Sequence, residues 1–207
     1  MSAARAKRSS KAPGAPKDSE PKPRSKYAGR DRSAWTRFLV ASSSLLVLDL
    51  LVKFLAFAYV QPTGKIIVIP YVLAMQLTWN QGAVFGLGQG QKWFFVLVSV
   101  VALAVIGRVF WKSDPKSRWF HFSLAMILSG ALGNLYDRIR FGAVRDMFKI
   151  FPDVYLPFGL KWGPGVTEIY PWIFNIADMA LLFGVGMLIV ILWRDDRKKQ
   201  KAKADDD

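Results

Sequence analysis

The residues best suited to chemistry in this sequence are two aspartates set in apolar stretches, Asp146 and Asp178. Carboxylates brought close together cannot both ionise, so one keeps a proton while the other acts as a base toward water. The only local cation for Asp146 is Arg145, which we expect to point elsewhere. Two separate hydrogen-bonded aspartates, or an ion or proton pathway, are alternatives that remain open at this stage.

The composition excludes several other kinds of active site. The chain has no cysteine, hence no disulfide, thiolate metal site or cysteine nucleophile, and its one histidine, His121, lies in an aromatic run that favours packing. We therefore expect no metal and no cofactor. The acids and bases of an enzyme with this composition should be carboxylates, lysine or tyrosine.

Other polar residues also interrupt apolar sequence. Asp49 and Lys53 are four residues apart, so a helix would present them on one face as a structural ion pair. Asn80 opens the segment 80–88, which contains three glycines, and its amide can orient a peptide group by donating and accepting hydrogen bonds. A plain glycine-rich turn is the alternative for this segment.

A third polar group follows a run of small residues at 129–133, which permits close helix packing. Asn134, Asp137 and Arg138 come next along the chain. The adjacency of Asp137 and Arg138 predicts a structural ion pair.

The elements that must position these residues are transmembrane helices. The chain is 52% hydrophobic yet carries a formal charge of +14, which fits apolar spans separated by charged loops and tails. Four apolar segments have about the length that crosses a bilayer, with tryptophans near their ends. They are residues 38–60, 93–111, 119–136 and 172–193. The predicted fold is an all-α membrane protein with four transmembrane helices.

Basic residues predict the orientation in the cytoplasmic (inner) membrane. They cluster before the first span, in the linker 112–118 and in 194–203, and basic flanks stay cytoplasmic. Both termini are then cytoplasmic, and the loops 61–92 and 141–171 are external. The β-branched runs at 65–70 and 74–78 predict a small sheet lying as a cradle on the membrane. The second loop is predicted to be irregular, with one helical turn near 154–160.

Three regions follow from this interpretation: a disordered basic cytoplasmic tail at 1–37, a transmembrane domain at 38–193 and a charged cytoplasmic tail at 194–207. The basic residues of the first tail lack interleaved aromatic residues, so we expect anionic lipid as their partner and no nucleic acid.

Together these features resemble the bacterial lipoprotein signal peptidases (signal peptidase II), four-helix intramembrane aspartyl proteases. The resemblance covers about 38–193 and depends on five blocks in the family's order. They are Asp49 with Lys53, the segment 80–86, Gly133-Asn134-Leu135-Tyr136-Asp137-Arg138, Val144-Arg145-Asp146 and Phe174-Asn175-Ile176-Ala177-Asp178.

The resemblance implies that Asp146 and Asp178 form the catalytic pair, while Asp49, Lys53 and Asp137 give structural support. It implies a monomer acting on prolipoproteins whose cysteine carries diacylglycerol, with cleavage on that cysteine's amino side near the external leaflet. Residues implied to line or support the substrate groove are Asn80, Gly82, Asn134, Arg138, Asn175 and Ala177.

The chain departs from the family in two places, an insertion around 152–168 and a long N-terminal tail.

Two rival functions also remain. A transporter using Asp49, Lys53 and Asp178 as a relay predicts flux across vesicles, whereas a membrane scaffold predicts that both aspartates of the pair can be replaced without consequence.

Overall fold

The computed structural model describes residues 26–61, 64–82, 88–163 and 165–206. Most of the predicted N-terminal tail, and residues 83–87 of the glycine-rich segment, lie outside these ranges. The architecture is mostly helical with one small antiparallel sheet. The long helices are α1 (Arg32–Tyr59), α2 (Lys92–Lys112), α3 (Arg118–Phe141) and α4 (Ile176–Asp206).

Within the described residues, three helices, α1, α2 and α4, are long and apolar enough to cross a membrane. The prediction of four spans is therefore supported for three of them. The exception, α3, packs against all three other helices and buries many more side chains than α2 does. Because its neighbours cover it, α3 can carry polar residues that a lipid-facing helix could not.

Small residues bring the helix backbones close together at the level of Asp49, as the sequence predicts. A Cβ atom added at Gly130 would collide with the carbonyl oxygen of Ala177 on α4. One added at Gly133 would collide with the Asp49 carboxylate on α1. This side of α3 is therefore where α1 and α4 converge.

The sheet has the strand order β1-β2-β3-β4, and every neighbouring pair is antiparallel. Its strands are β1 (Lys65–Ile69), β2 (Leu73–Asn80), β3 (Val144–Ile150) and β4 (Ile173–Phe174). The two strands predicted in the first external loop are confirmed. The prediction of an irregular second loop was wrong at its start, where β3 pairs with both β2 and β4.

Helix boundaries also differ from the predicted spans. α1 begins at Arg32, where the Asp31 carboxylate accepts a hydrogen bond from the backbone N–H of Ala34 at 2.7 Å and caps the helix. The predicted border at residue 37 thus lies inside α1. Just before it, the backbone N–H of Ala28 donates to the Ser113 carbonyl at 2.8 Å, which fastens this segment to the α2–α3 linker. At the other end, α4 continues through the predicted C-terminal tail.

Candidate active site

Asp146 lies in the middle of β3 and is almost completely buried. Each of its carboxylate oxygens accepts a hydrogen bond from an amide. The Nδ2 atom of Asn175 donates to Oδ1 at 2.6 Å, and Nδ2 of Asn80, at the end of β2, donates to Oδ2 at 3.1 Å. The side chain is therefore held in one orientation by β2 on one side of β3 and by the residue that follows β4 on the other.

Asp178 lies in the first turn of α4 and not two turns into a span, because the helix begins at Ile176. The backbone N–H of Asn175 donates to Asp178 Oδ2 at 3.1 Å, and the backbone N–H of Asp178 donates to Asn175 Oδ1 at 2.9 Å. This reciprocal arrangement is a capping box, which satisfies backbone donors at a helix start. The second oxygen, Oδ1, accepts a hydrogen bond from Asn134 Nδ2 at 2.8 Å.

One residue, Asn175, thus joins the two aspartates. Its Nδ2 donates to Asp146, while its Oδ1 and its backbone N–H hold Asp178. Burial, followed by the negative charge of Asp178, raises the pKa of Asp146 to about 7 from an ordinary 3.8. The pair can therefore hold one proton near neutral pH, the state in which one carboxyl group is an acid and the other a base.

Lys53 is the buried cation behind the pair. Its Nζ atom lies 2.9 Å from Asp49 Oδ2 and 3.2 Å from Asp137 Oδ2, and donates to Asn134 Oδ1 at 3.0 Å. The predicted pairing of Asp49 with Lys53 is present. Because Asn134 turns its oxygen toward Lys53, its Nδ2 is directed at Asp178.

The predicted ion pair between Asp137 and Arg138 was wrong. Asp137 instead accepts hydrogen bonds from Arg145, at 3.1 Å from Nε, 2.8 Å from Nη2 and 3.0 Å from the backbone N–H. Neighbouring side chains on a helix diverge by about 100°, so residues 137 and 138 face different surroundings. As expected, Arg145 points away from Asp146.

Arg138 contacts the glycine-rich segment. Its Nη2 atom donates to the carbonyl oxygen of Gly82 at 3.0 Å, and the backbone N–H of Gly82 donates to Asn80 Oδ1 at 2.9 Å. The guanidinium also lies 5.0 Å from the ring centre of Phe95 on α2. Asn80 and Gly82 are thus brought together with Arg138, just before residues 83–87, which lie outside the described ranges.

Ala177 contributes through its backbone: its N–H donates to Asp49 Oδ1 at 2.9 Å, which ties the start of α4 to α1.

Sequence reasoning missed Tyr170. Burial, followed by the charge of Asp178, raises the pKa of this phenol, and its ring lies edge-on to Trp172 with the ring centres 5.1 Å apart. An aromatic hydroxyl a few residues before the Asn175 block was the available signal.

Comparison with known proteins identifies the family. The family described as signal peptidase (SPase) II matches residues 41–194. A lipoprotein signal peptidase of Halalkalibacterium halodurans is 34% identical over 168 residues, covering 80% of this chain and 97% of that protein. One from Listeria monocytogenes is 32% identical over 167 residues, covering 80% and 99% of the two chains.

Solved structures agree with these sequence matches. A bacterial membrane enzyme crystallised by the in meso method has a TM-score of 0.67 and 25% identity, covering 79% of this chain and 92% of its own. A second such structure has a TM-score of 0.63 and 25% identity, covering 77% and 94% of the two chains. The chain is therefore a multi-pass membrane protein, and it belongs to the signal peptidase II family.

Proposed function

We propose that this chain is an aspartic endopeptidase that removes the signal peptide from prolipoproteins, with Asp146 and Asp178 as its catalytic pair. The observation that carries the proposal is the position of Asn175, whose side chain is hydrogen-bonded to both residues. A single residue that binds both carboxylates, one through its side-chain amide and the other through its backbone N–H, supports a shared task for the two acids, since separate structural aspartates need no common ligand.

The proposed chemistry uses one water molecule between the two carboxyl groups. The ionised carboxylate takes a proton from the water as it attacks the peptide carbonyl, and the protonated one donates to the carbonyl oxygen. A proton then passes to the leaving nitrogen. Each carboxylate oxygen accepts one of these amide hydrogen bonds and has a second lone pair, so the anchoring contacts of Asp146 and Asp178 leave acceptor capacity for a water molecule.

The substrate is proposed to be a prolipoprotein bearing diacylglycerol on its cysteine, cut on the amino side of that residue. Its acyl chains would contact lipid between the helices while the sheet cradles the extended peptide. The exposed apolar side chains of β1 support placing the sheet at the membrane surface. Residues proposed to line or support this groove are Asn80, Gly82, Asn134, Arg138, Asn175 and Ala177.

The proposed topology has four spans in the cytoplasmic (inner) membrane, with α3 as the covered central span and both termini cytoplasmic. The sheet and the catalytic pair then lie at the external leaflet. Residues 38–193 form the peptidase domain of a monomer, between the cytoplasmic tails 1–37 and 194–207. The basic flanks of the spans support this orientation.

The test is cleavage of a diacylglyceryl-modified prolipoprotein by the purified protein in detergent, with the unmodified precursor beside it. Asp146→Asn and Asp178→Asn should each abolish cleavage, because the pair loses its acid or base. Asp195→Asn, an exposed site on α4, is the matched control and should cleave normally, with or without chelator. Cleavage by either of the first two variants would refute the assignment.

A further inference from the structure

The insertion between β3 and β4 folds as a hairpin over residues 154–169. The backbone N–H of Leu156 donates to the Thr167 carbonyl at 2.7 Å, and that of Ile169 donates to the Val154 carbonyl at 2.8 Å. The helical turn predicted near 154–160 is reduced to a short 3-10 helix, Pro157–Gly159. It lies where the outgoing arm bulges before the closing turn at Gly163–Val166, and we call residues 155–160 of this arm the tip. The family's catalytic blocks do not include this segment.

Two ion pairs join this region to the sheet. Lys149 of β3 lies 2.7 Å from Glu168 in the returning arm of the hairpin, and Lys149 is buried. Lys65 of β1 lies 2.7 Å from Asp153, just before the hairpin begins. The acids that flank the hairpin are thereby neutralised, and its arms are held to the strands.

The tip of the hairpin presents apolar side chains outward. Phe158 is 98% exposed, and Tyr155 and Leu160 are also well exposed. Phe158 has a φ of 58°, a left-handed backbone conformation that costs a non-glycine residue about 1–3 kcal/mol. A ring this exposed gains little from the described residues to offset that strain, so a contact from outside them would stabilise it.

The charge of the tip favours a lipid surface as that contact. Residues 154–163 contain one charged side chain, Lys161, which is exposed. An aromatic and aliphatic tip with a single cation is the composition found where proteins meet the headgroups of anionic bilayers. An acidic or polar protein surface would match it less well, because the tip offers few hydrogen-bonding side chains.

The chain also tethers the hairpin to a membrane helix on each side, α3 before it and α4 after it. It leaves the sheet at the end of β3, whose seven residues extend about 23 Å from the segment that follows α3. It returns through β4 directly into α4. A segment tethered at both ends to membrane helices meets the bilayer at a high effective concentration.

We propose that the hairpin 154–169 inserts its tip, Tyr155, Phe158 and Leu160, into the headgroup region of the leaflet beside the sheet. The inserted tip, together with its ion pairs to β1 and β3, fixes the tilt of the sheet on the membrane. The proposal needs only the membrane embedding of the helices and is independent of the catalytic assignment.

The absence of cysteine makes a depth measurement direct, because one introduced cysteine is the only thiol. We would attach a nitroxide to Leu160→Cys in the full chain, reconstituted in liposomes of phosphatidylcholine and phosphatidylglycerol. Val98→Cys, exposed on α2, is the lipid reference, and Lys201→Cys, exposed near the end of α4, is the water reference. Power saturation with oxygen and with a water-soluble nickel chelate reports the depth of each label.

The proposal expects the label at 160 to be accessible to oxygen and shielded from nickel, as at 98. Adding Phe158→Ser should shift it toward the water reference. Nickel access equal to that at 201 would overturn the proposal. So would shielding from both reagents, because that result indicates a bound protein, either the substrate or a second copy.

Discussion

At the scale of single residues, the candidate site depends on amides that hold carboxylates in place. The side chains of Asn80, Asn134 and Asn175 supply three of the four donors to the proposed catalytic pair, and the fourth is a backbone N–H. The amide dipoles orient both acids, and because amides do not titrate, this framework stays constant across pH. The pH dependence of the site is therefore that of the pair itself.

Activity should decline as pH rises above about 7, because Asp146 then loses the proton that the pair requires. Stability should follow the same group. Between pH 4 and 7 the native state holds a proton that the unfolded chain has released, so stability falls by up to about 1.4 kcal/mol per pH unit across that window. Melting temperatures of the wild type and Asp146→Asn in detergent test this, since the variant should show a flatter pH dependence. An unchanged profile would contradict it.

Lys53→Met should lower stability by about 3–5 kcal/mol, because it leaves the buried Asp49 carboxylate without its cation. Asp137 suffers less, since Arg145 still binds it. The second substitution Asp49→Asn should therefore restore part of the loss in the double variant. Thermal unfolding of the single and double variants measures the coupling. Simple additivity of the two losses would mean that the pair contributes nothing.

Residue types predicted much of the site, but not every partner. The spacing of Asp49 and Lys53 was sufficient to predict their ion pair, since a helix fixes residues four apart on one face. The partner of Asp137 was not predictable in this way, because Arg145 reaches it only after Gly142, at φ 80°, turns the chain from α3 into β3. Adjacency in sequence favoured Arg138, and the helix geometry separated the two.

At the scale of elements, the position of the site depends on how closely α3 approaches α1 and α4. The glycines of α3 allow this approach, and the capping box sets where α4 begins. The strand β3 was missed by sequence reasoning because it follows α3 after only two residues and both of its faces are covered. Its burial pattern lacks the alternation that identifies a half-exposed strand.

Gly133→Ala should destabilise the protein by about 1–3 kcal/mol, since the added methyl group would collide with Asp49. It should also lower activity, because Asp49 holds both Lys53 and the start of α4. Gly107→Ala on α2 is the matched control. Its methyl group would meet nothing within 4 Å, so the change should be neutral or slightly stabilising. Equal effects of the two substitutions would argue against the close packing.

At the scale of the whole molecule, hydropathy located every long helix but did not indicate which of them lies at the centre of the bundle. The helix that falls short as a span, α3, is the one that the other three surround. Its serines, asparagine and charged residues lower its mean hydropathy, so a hydropathy profile ranks α3 as the weakest span. In the folded protein they are the polar side of the bundle's interior.

The orientation can be tested with the same cysteine-free chain. Lys201→Cys should react with a membrane-impermeant maleimide only after the cytoplasmic side is opened, because α4 carries that residue beyond its apolar part. Gln89→Cys, in the exposed turn before α2, should react from the external side of intact cells. Labelling of both positions from one side would contradict an odd number of spans between β2 and the C-terminus.

The double use of Asn175 has a consequence for biosynthesis. Asn175, which caps the last helix, also completes the contacts of both acids. A chain that is still emerging from the ribosome therefore lacks Asn175 and Asp178 until the end of synthesis. On the proposed mechanism, peptide hydrolysis cannot begin until α4 has entered the membrane and packed against α1 and α3. Because α4 is translated last, the nascent protease would remain inactive while segments of its own chain are still unfolded.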